Sequence, residues 1–261
     1  MKEILAAGRW LYLIAVYTFI VGPMLFVCAA SLNSAANFPA NFDGITFKWY
    51  EAILKYPEFT RAAWVSALVA MVSSIVAVVV AFLAGYGMFR SDRKESVVLS
   101  TILASPILVP QIVLSLATLQ FLALFGISSG LVGLVAVHTV HSLPFALRLV
   151  LSGFSRYNFS LEEASSNLGA GRFTTWFQIT VPLLKANLVA GFTFCFILSF
   201  VNLPISLFLT DARSATLPLV MFAHLEARID PMLPAVASII VIVAAGTTIL
   251  LERYLRIRLV D

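Results

Sequence analysis

Apolar runs about as long as a bilayer is thick recur along this chain, and they leave few architectures open. A helix needs roughly 20 apolar residues to cross a hydrocarbon core of about 30 Å. Six stretches qualify: residues 10–32, 63–88, 97–125, 131–151, 188–209 and 233–251. Alternation with period two, which a transmembrane barrel requires, is not sustained anywhere. With 61% hydrophobic and 11% charged residues among 261, little sequence remains for a soluble domain. The expectation is an all-α membrane protein of six transmembrane helices.

Between the spans lie a loop at 33–62, a basic link at 89–96, a tight turn at 126–130, a polar insert with its lead-in at 152–187, a loop at 210–232 and a tail from Glu252. The 17 basic residues divide unevenly between the two sets of span ends. Lys48, Lys55, Arg61, Arg213 and Arg228 fall on one side, and the other twelve, among them Arg90, Arg93, Lys94, Arg156, Arg172 and Lys185, fall on the opposite side. Cytoplasmic loops carry the Lys/Arg excess, so both termini and the insert are expected in the cytoplasm. The net charge of +4 is thus a topology signal and needs no nucleic acid.

Other features narrow the chemistry. The first apolar run is too long for the h-region of a cleaved signal peptide, although Ala29-Ala30-Ser31 resembles a processing site. Cys28 and Cys195 lie inside apolar runs without metal-ligand spacing and are expected to be small buried hydrophobes. Pro106 and Pro110 should bend the third span, with Ser105 placed to satisfy a freed carbonyl. Trp49 and Tyr50 suit the outer headgroup level on a short interfacial helix or lid. No internal repeat shows.

The insert is read from its residues first. Ser160 and Glu163 have capping-box spacing, and Glu162 and Glu163 complement the positive end of a helix dipole. A two-turn helix should start at Leu161 and stop at Gly169, where a left-handed residue costs glycine little. After Gly171 a second aromatic helix is expected over 172–181, with Pro182 starting or bending the approach to the fifth span. Two turns are marginal alone in water, so something must hold this helix.

The spacing Glu163-Ala164-Ser165, three residues, Gly169, nine residues, Ile179, Thr180, Val181-Pro182 resembles the cytoplasmic signature of permease subunits of binding-protein-dependent ABC importers. That signature reads Glu-Ala-Ala, three residues, Gly, nine residues, Ile, one residue, Leu-Pro. Five of its seven positions are identical here, with Ala to Ser at 165 and Leu to Val at 181. Likeness extends to "SPILVP", "HTVHSLPF" and "ATLPL", and is nearest to the spermidine/putrescine-type permeases and their small-cation and aminophosphonate relatives.

The resemblance implies a type I importer permease: a first helix and extracytoplasmic loop over 1–61, the permease domain over 62–251 with a coupling loop at about 153–187, and a cytoplasmic tail over 252–261. It implies that Glu163, Ala164, Ser165, Leu168, Gly169, Ile179 and Pro182 couple the chain to an ATPase. Glu163 would meet the ATPase surface, Ala164 and Ser165 would allow close packing, Gly169 would turn the chain, and Leu168 and Ile179 would anchor it. The hydroxyl at Ser165 needs a partner that alanine would not. Implied partners are two ABC ATPase subunits, a second permease subunit, similar or identical, and an extracytoplasmic solute-binding protein in a bacterial inner membrane. The cargo would be a polyamine, aminophosphonate or related amine compound.

The sequence holds no G-x-x-x-x-G-K-[ST], so ATP and magnesium would belong to the partner ATPase and this chain would need no cofactor. HExxH, G-x-S-x-G and Cys/His clusters are also missing, leaving no catalytic or metal residue to name. Polar residues inside spans are expensive and therefore candidates for a substrate path: Gln111, Gln120, His138, His141, Ser199 and Asn202. His138 and His141 share a helix face, where packing, hydrogen bonding and a pore wall are all open readings. Polyamine-type relatives commonly carry acidic residues after the equivalent of Leu198-Ser199-Phe200, and here Val201-Asn202-Leu203 follow. Carboxylates are missing from all six span cores, which speaks against a proton-coupled secondary transporter. That class and a non-transporting membrane scaffold remain the alternatives.

Overall fold

The computed structural model describes residues 2–35, 43–127, 129–211, 213–228 and 231–255. They form helices α1 (Lys2–Ser31), α2 (Lys48–Lys55), α3 (Pro57–Met88), α4 (Arg93–Ala104), α5 (Gln111–Leu124), α6 (Leu131–Phe154), α7 (Ser160–Asn167), α8 (Arg172–Thr175), α9 (Val181–Phe200), α10 (Leu217–Ala227) and α11 (Met232–Leu255). Among the described residues five helices are long and apolar enough to cross a membrane, or six if one bent pair counts as a single span. Residues 36–42 of the loop at 33–62 and the end of the tail, 256–261, lie outside the described residues.

The third span differs from a gently bent rod. Helical segments Arg93–Leu108 and Gln111–Leu124 meet at 106° across a two-residue break. Pro106 enters the first turn of a 3₁₀ segment, Ser105–Leu108, and Val109 is extended (φ −88, ψ 128), as the residue before a proline prefers. The Ser105 hydroxyl donates to the Ile102 carbonyl at 2.8 Å, the group that Pro106 deprives of an amide. The Val109 amide similarly reaches the Pro106 carbonyl at 3.2 Å.

The fifth span is also shifted. Helix runs without a break over Arg172–Phe200, through a π-helical turn at Trp176–Thr180. The expected separate aromatic helix is therefore the first part of the span itself. The π turn lies just before Pro182 and lets the Val181 amide bond to the Trp176 carbonyl, so the proline enters without ending the helix. After Phe200 the chain leaves the helix, and residues 201–209 are no longer part of it. The expected loop at 210–232 contains α10, whose Pro218 sits in the first turn where its missing amide costs nothing. The Leu217 amide donates to Ser66 Oγ at 2.8 Å.

The described residues fall into two compact units. In the one built from 1–61 and 220–250, the Tyr50 hydroxyl of α2 meets Ser31 Oγ at 2.7 Å and Ser238 Oγ at 2.9 Å, linking α1, α2 and α11. Trp49 Nε1 donates to the Asn33 carbonyl at 2.7 Å. In the unit built on 62–219, α6 packs closely along α9. Small residues permit the approach, as in many membrane helix pairs. A Cβ on Gly153 would come within 2.8 Å of the Asn187 side chain and 2.9 Å of Leu184. Ala77, Ala81, Phe82, Ala146, Val150, Phe154, Leu184 and Cys195 build one core there, and Val69, Leu134, Val137, Ile205 and Leu209 another.

Candidate functional site

Two groups of polar residues stand out in the second unit. The first surrounds α7. Its N-terminus departs from the expected capping box: Ser160 is already helical, Phe159 occupies the cap position with αR backbone (φ −66, ψ −17), and no side chain caps it. A capping side chain needs extended backbone at its own residue. The Ser160 amide is instead taken by Asn158 Oδ1 at 3.0 Å.

The C-terminus closes with a Schellman motif. Gly169 has φ +85, its amide donates to the Ser166 carbonyl at 2.9 Å, and the Ala170 amide donates to the Ser165 carbonyl at 3.1 Å. The Ser165 hydroxyl finds its partner within the chain, Thr175 Oγ1 at 3.0 Å, so it links α7 to α8. Glu163, Ala164, Gly169 and Pro182 are exposed, Ile179 is half-buried, and Leu168 is 89% exposed. Phe173 and Phe177 are exposed beside them. A short helix thus carries an acidic and apolar outer face that the described residues leave uncovered.

Its inner face is held by a residue that the sequence reading used only as a dipole complement. Glu162 is 5% exposed. Its Oε1 accepts from Thr180 at 2.8 Å and lies 3.0 Å from the Tyr157 hydroxyl. Its Oε2 accepts from Tyr86 at 2.8 Å and pairs with Arg90. Burial alone would raise its pKa, but donors from Thr180, Tyr86, Tyr157 and Arg90 outweigh that and hold it below the ordinary carboxylate value. Burial, with the neighbouring carboxylate, pushes Tyr157 up to about 12. Around this carboxylate stand aromatic rings: Trp176 against Tyr86 at 5.0 Å and Tyr157 against Phe159 at 4.9 Å. The Arg90 guanidinium lies 4.9 Å from the Tyr86 ring centre. No single motif could announce this cluster, because Tyr86 and Arg90 are more than seventy positions before Glu162.

The second group lies where two helices are interrupted. Five of the six expected path residues join one hydrogen-bonded network, and Gln120 stands apart, exposed on α5. His138 is 1% exposed, with Nδ1 at 2.8 Å from Ser199 Oγ and Nε2 at 3.4 Å from Ser206 Oγ. Because Ser206 donates to the Asn202 carbonyl, it accepts from His138, which places the ring proton on Nε2. Asn202 Nδ2 reaches Gln111 Oε1 at 3.4 Å, and Gln111 Nε2 lies 3.2 Å from His141 Nε2. Asn202 Oδ1 takes the Ile205 amide at 3.1 Å, fixing the turn that follows α9. Ser73, missed in the sequence because a lone serine in an apolar run has no signature, completes the chain at 3.3 Å from Ser199. The network joins two imidazoles, hydroxyls and side-chain amides and contains no carboxylate. Among the described residues no group of three His, Cys, Asp or Glu could hold a metal.

Residues 77–257 match the family described as binding-protein-dependent transport system inner membrane component. The chain is similar to the spermidine/putrescine transport system permease protein PotC of Escherichia coli (strain K12), 27% identical over 233 residues, 89% of this chain and 88% of that protein. It is also similar to the putrescine transport system permease protein PotI of the same organism, 24% identical over 89% of this chain and 85% of that one. Among solved structures, a bacterial ABC transporter involved in the import of the acidic polysaccharide alginate has a chain with TM-score 0.72 and 14% identity, covering 99% of this chain and 98% of its own. An inward-facing MetNI methionine ABC transporter has one with TM-score 0.62 and 19% identity, covering 76% and 94%.

Proposed function

The chain belongs to the family of binding-protein-dependent transport system inner membrane components, and as such is a multi-pass permease subunit of an ABC importer; we propose that it lines a path for a small organic amine and opens it alternately to the two sides of the membrane. Two separate ATPase subunits would bind ATP and magnesium, a second permease subunit would complete the path, and an extracytoplasmic binding protein would deliver the solute. ATP binding would bring the ATPases together, and each would drag the short helix docked in it. In this reading Glu163, Ala164, Ser165, Leu168, Gly169, Ile179 and Pro182 serve the coupling, and Gln111, His138, His141, Ser199 and Asn202 serve the path, while Gln120, exposed on α5, stands apart from them. Both termini and α7 would face the cytoplasm.

The observation that carries the proposal is α7 itself: two turns, pinned on the inner side through Glu162, and displaying Glu163, Ala164 and Leu168 on an uncovered outer side. A polyamine-type cargo is supported by the named relatives, PotC and PotI. The test is co-purification from native membranes followed by ATPase assays. An ATPase subunit should come with the chain, and hydrolysis should rise when putrescine-loaded binding protein is added. Uptake by the chain alone, driven by a proton gradient, would refute the proposal.

A further inference from the structure

A docking face explains how α7 could be gripped, but not how its movement reaches the spans. Besides the backbone link through 155–159 to α6, three routes leave α7. The backbone route passes through Gly169, a single glycine elbow with nothing within 4 Å of where a Cβ would stand. The second is the Ser165–Thr175 hydroxyl pair, one neutral hydrogen bond at 3.0 Å. The third is the Glu162 carboxylate, which engages the end of α3 through Tyr86 and Arg90 and the π-helical entry of α9 through Thr180. Hydrogen bonds to a charged group are stronger and more directional than neutral ones, and this one is buried at 5% exposure inside an aromatic box.

On the permease reading just given, we infer that Glu162 is a positioning residue of the coupling machinery: its carboxylate is the joint that carries α7 movement into α3 and α9, while Glu163 next to it belongs to the docking face. Consecutive helical residues point about 100° apart, so one acidic pair serves both sides of α7. The box gives the joint stiffness. Tyr86 contacts Trp176 and Phe159, Phe154 lies 6.2 Å from Phe159, and Arg90 is within 5.7 Å of the Phe159 ring centre. A displacement of α7 therefore moves α3 and the start of α9 together, and these are helices that carry Ser73 and Ser199 of the buried polar network.

The test uses the complete complex with its ATPases, companion permease and binding protein. Two quantities are read: the amount of ATPase retained on purification, and the change on ATP binding in the labelling rate of Leu207→Cys by a membrane-impermeant maleimide. Leu207 is 38% exposed and lies outside α7 and its anchors; native Cys195 is buried, and Cys28, half-buried rather than buried as its apolar run suggests, is replaced by Ser in every variant. Glu162→Ala should keep ATPase retention within about twofold and reduce the nucleotide-driven change in labelling about tenfold, the size expected for losing hydrogen bonds to a charge. Glu162→Gln keeps an acceptor and should fall between Ala and the natural residue. Tyr86→Phe, which removes one donor and leaves the box filled, should show a smaller loss of the same kind. Parallel loss of ATPase retention and nucleotide response in Glu162→Gln and Tyr86→Phe would make Glu162 a folding residue only and overturn the inference, as would an unchanged nucleotide response in Glu162→Ala. Failure of the natural chain to retain any ATPase would instead overturn the permease reading on which the inference rests.

Discussion

Replacing Gly169 with valine isolates the elbow at the end of α7 from every other influence. The residue has φ +85, and no atom lies within 4 Å of the position a Cβ would take, so a new side chain meets open space. The cost is then entirely backbone strain, about 1–3 kcal/mol for a residue other than glycine held left-handed, and largest for a β-branched side chain. What that strain opposes are two hydrogen bonds, from Gly169 to the Ser166 carbonyl and from Ala170 to the Ser165 carbonyl. At roughly 1.4 kcal/mol per factor of ten, valine should lower the population of the closed elbow about tenfold or more. Alanine should cost less and asparagine least, since its side chain tolerates the left-handed region. The assay is ATP-driven uptake of the relatives' cargo, putrescine, by the reconstituted complex, with ATP hydrolysis and the melting temperature followed alongside. Uptake per ATP should fall in the order Asn, Ala, Val, while melting of the spans stays unchanged. Natural uptake in Gly169→Val, or equal effects of all three substitutions, would refute the strain argument.

Gly153→Val places a side chain within 3 Å of Asn187 and Leu184 and should destabilise the α6–α9 pair by about 1–3 kcal/mol, seen as a lower melting temperature in detergent. Asn202→Ala strands the Ile205 amide and frees Gln111, costing about 1–3 kcal/mol, and should raise KM for uptake more than it lowers expression. Arg90→Ala leaves three hydroxyl donors on Glu162 and should cost about 1–3 kcal/mol, read as easier proteolysis between α7 and α8. Stability of the Glu162 box should be flat across neutral pH and fall at both extremes. The lowered Glu162 pKa contributes above the ordinary carboxylate value and is lost as pH falls through the lowered one, whereas Tyr157, raised to about 12, contributes fully below its ordinary pKa and is lost as pH rises through the raised one. Trp176 fluorescence, as the difference from a Trp176→Phe control, reports both limbs, and a monotonic profile would contradict the assignment.

Features carried by single residues were legible in the sequence. Pro110 announced the break in the third span, Gly169 the left-handed turn, and apolar length the spans of α1, α3, α6 and α11. Features that depend on helical phase or distant partners were not. Which of Glu162 and Glu163 turns inward is a matter of rotation about α7, decided by Tyr86, Arg90, Tyr157 and Thr180, which no local pattern groups together. The capping box failed for a related reason: Phe159 takes αR backbone and Asn158 claims the Ser160 amide first. The run over 172–200 looked like two pieces because Pro182 reads as a boundary, and only the π turn before it lets the helix pass. Among the expected path residues, polarity within apolar runs found the network, but could not separate Gln120, which is exposed on α5 apart from it.

The two helix interruptions have a mechanical consequence. The break at Val109-Pro110 and the unwound stretch after Phe200 are stitched to one another by Asn202–Gln111 and by the Ser115 hydroxyl on the Ile205 carbonyl at 2.7 Å. At these two places the helical ladder of backbone bonds is cut and only single local bonds replace it, whereas α6, past Pro144, and α9 run as continuous helices packed closely at Gly153. Bending should therefore concentrate along this seam, with hydrogen exchange faster at the non-proline amides of 105–109 and 201–203 than in α6. If the proposed path is right, side chains along the seam are the ones to exchange for a new cargo, while the α6–α9 slab, and the energy that stabilises it, stays as it is.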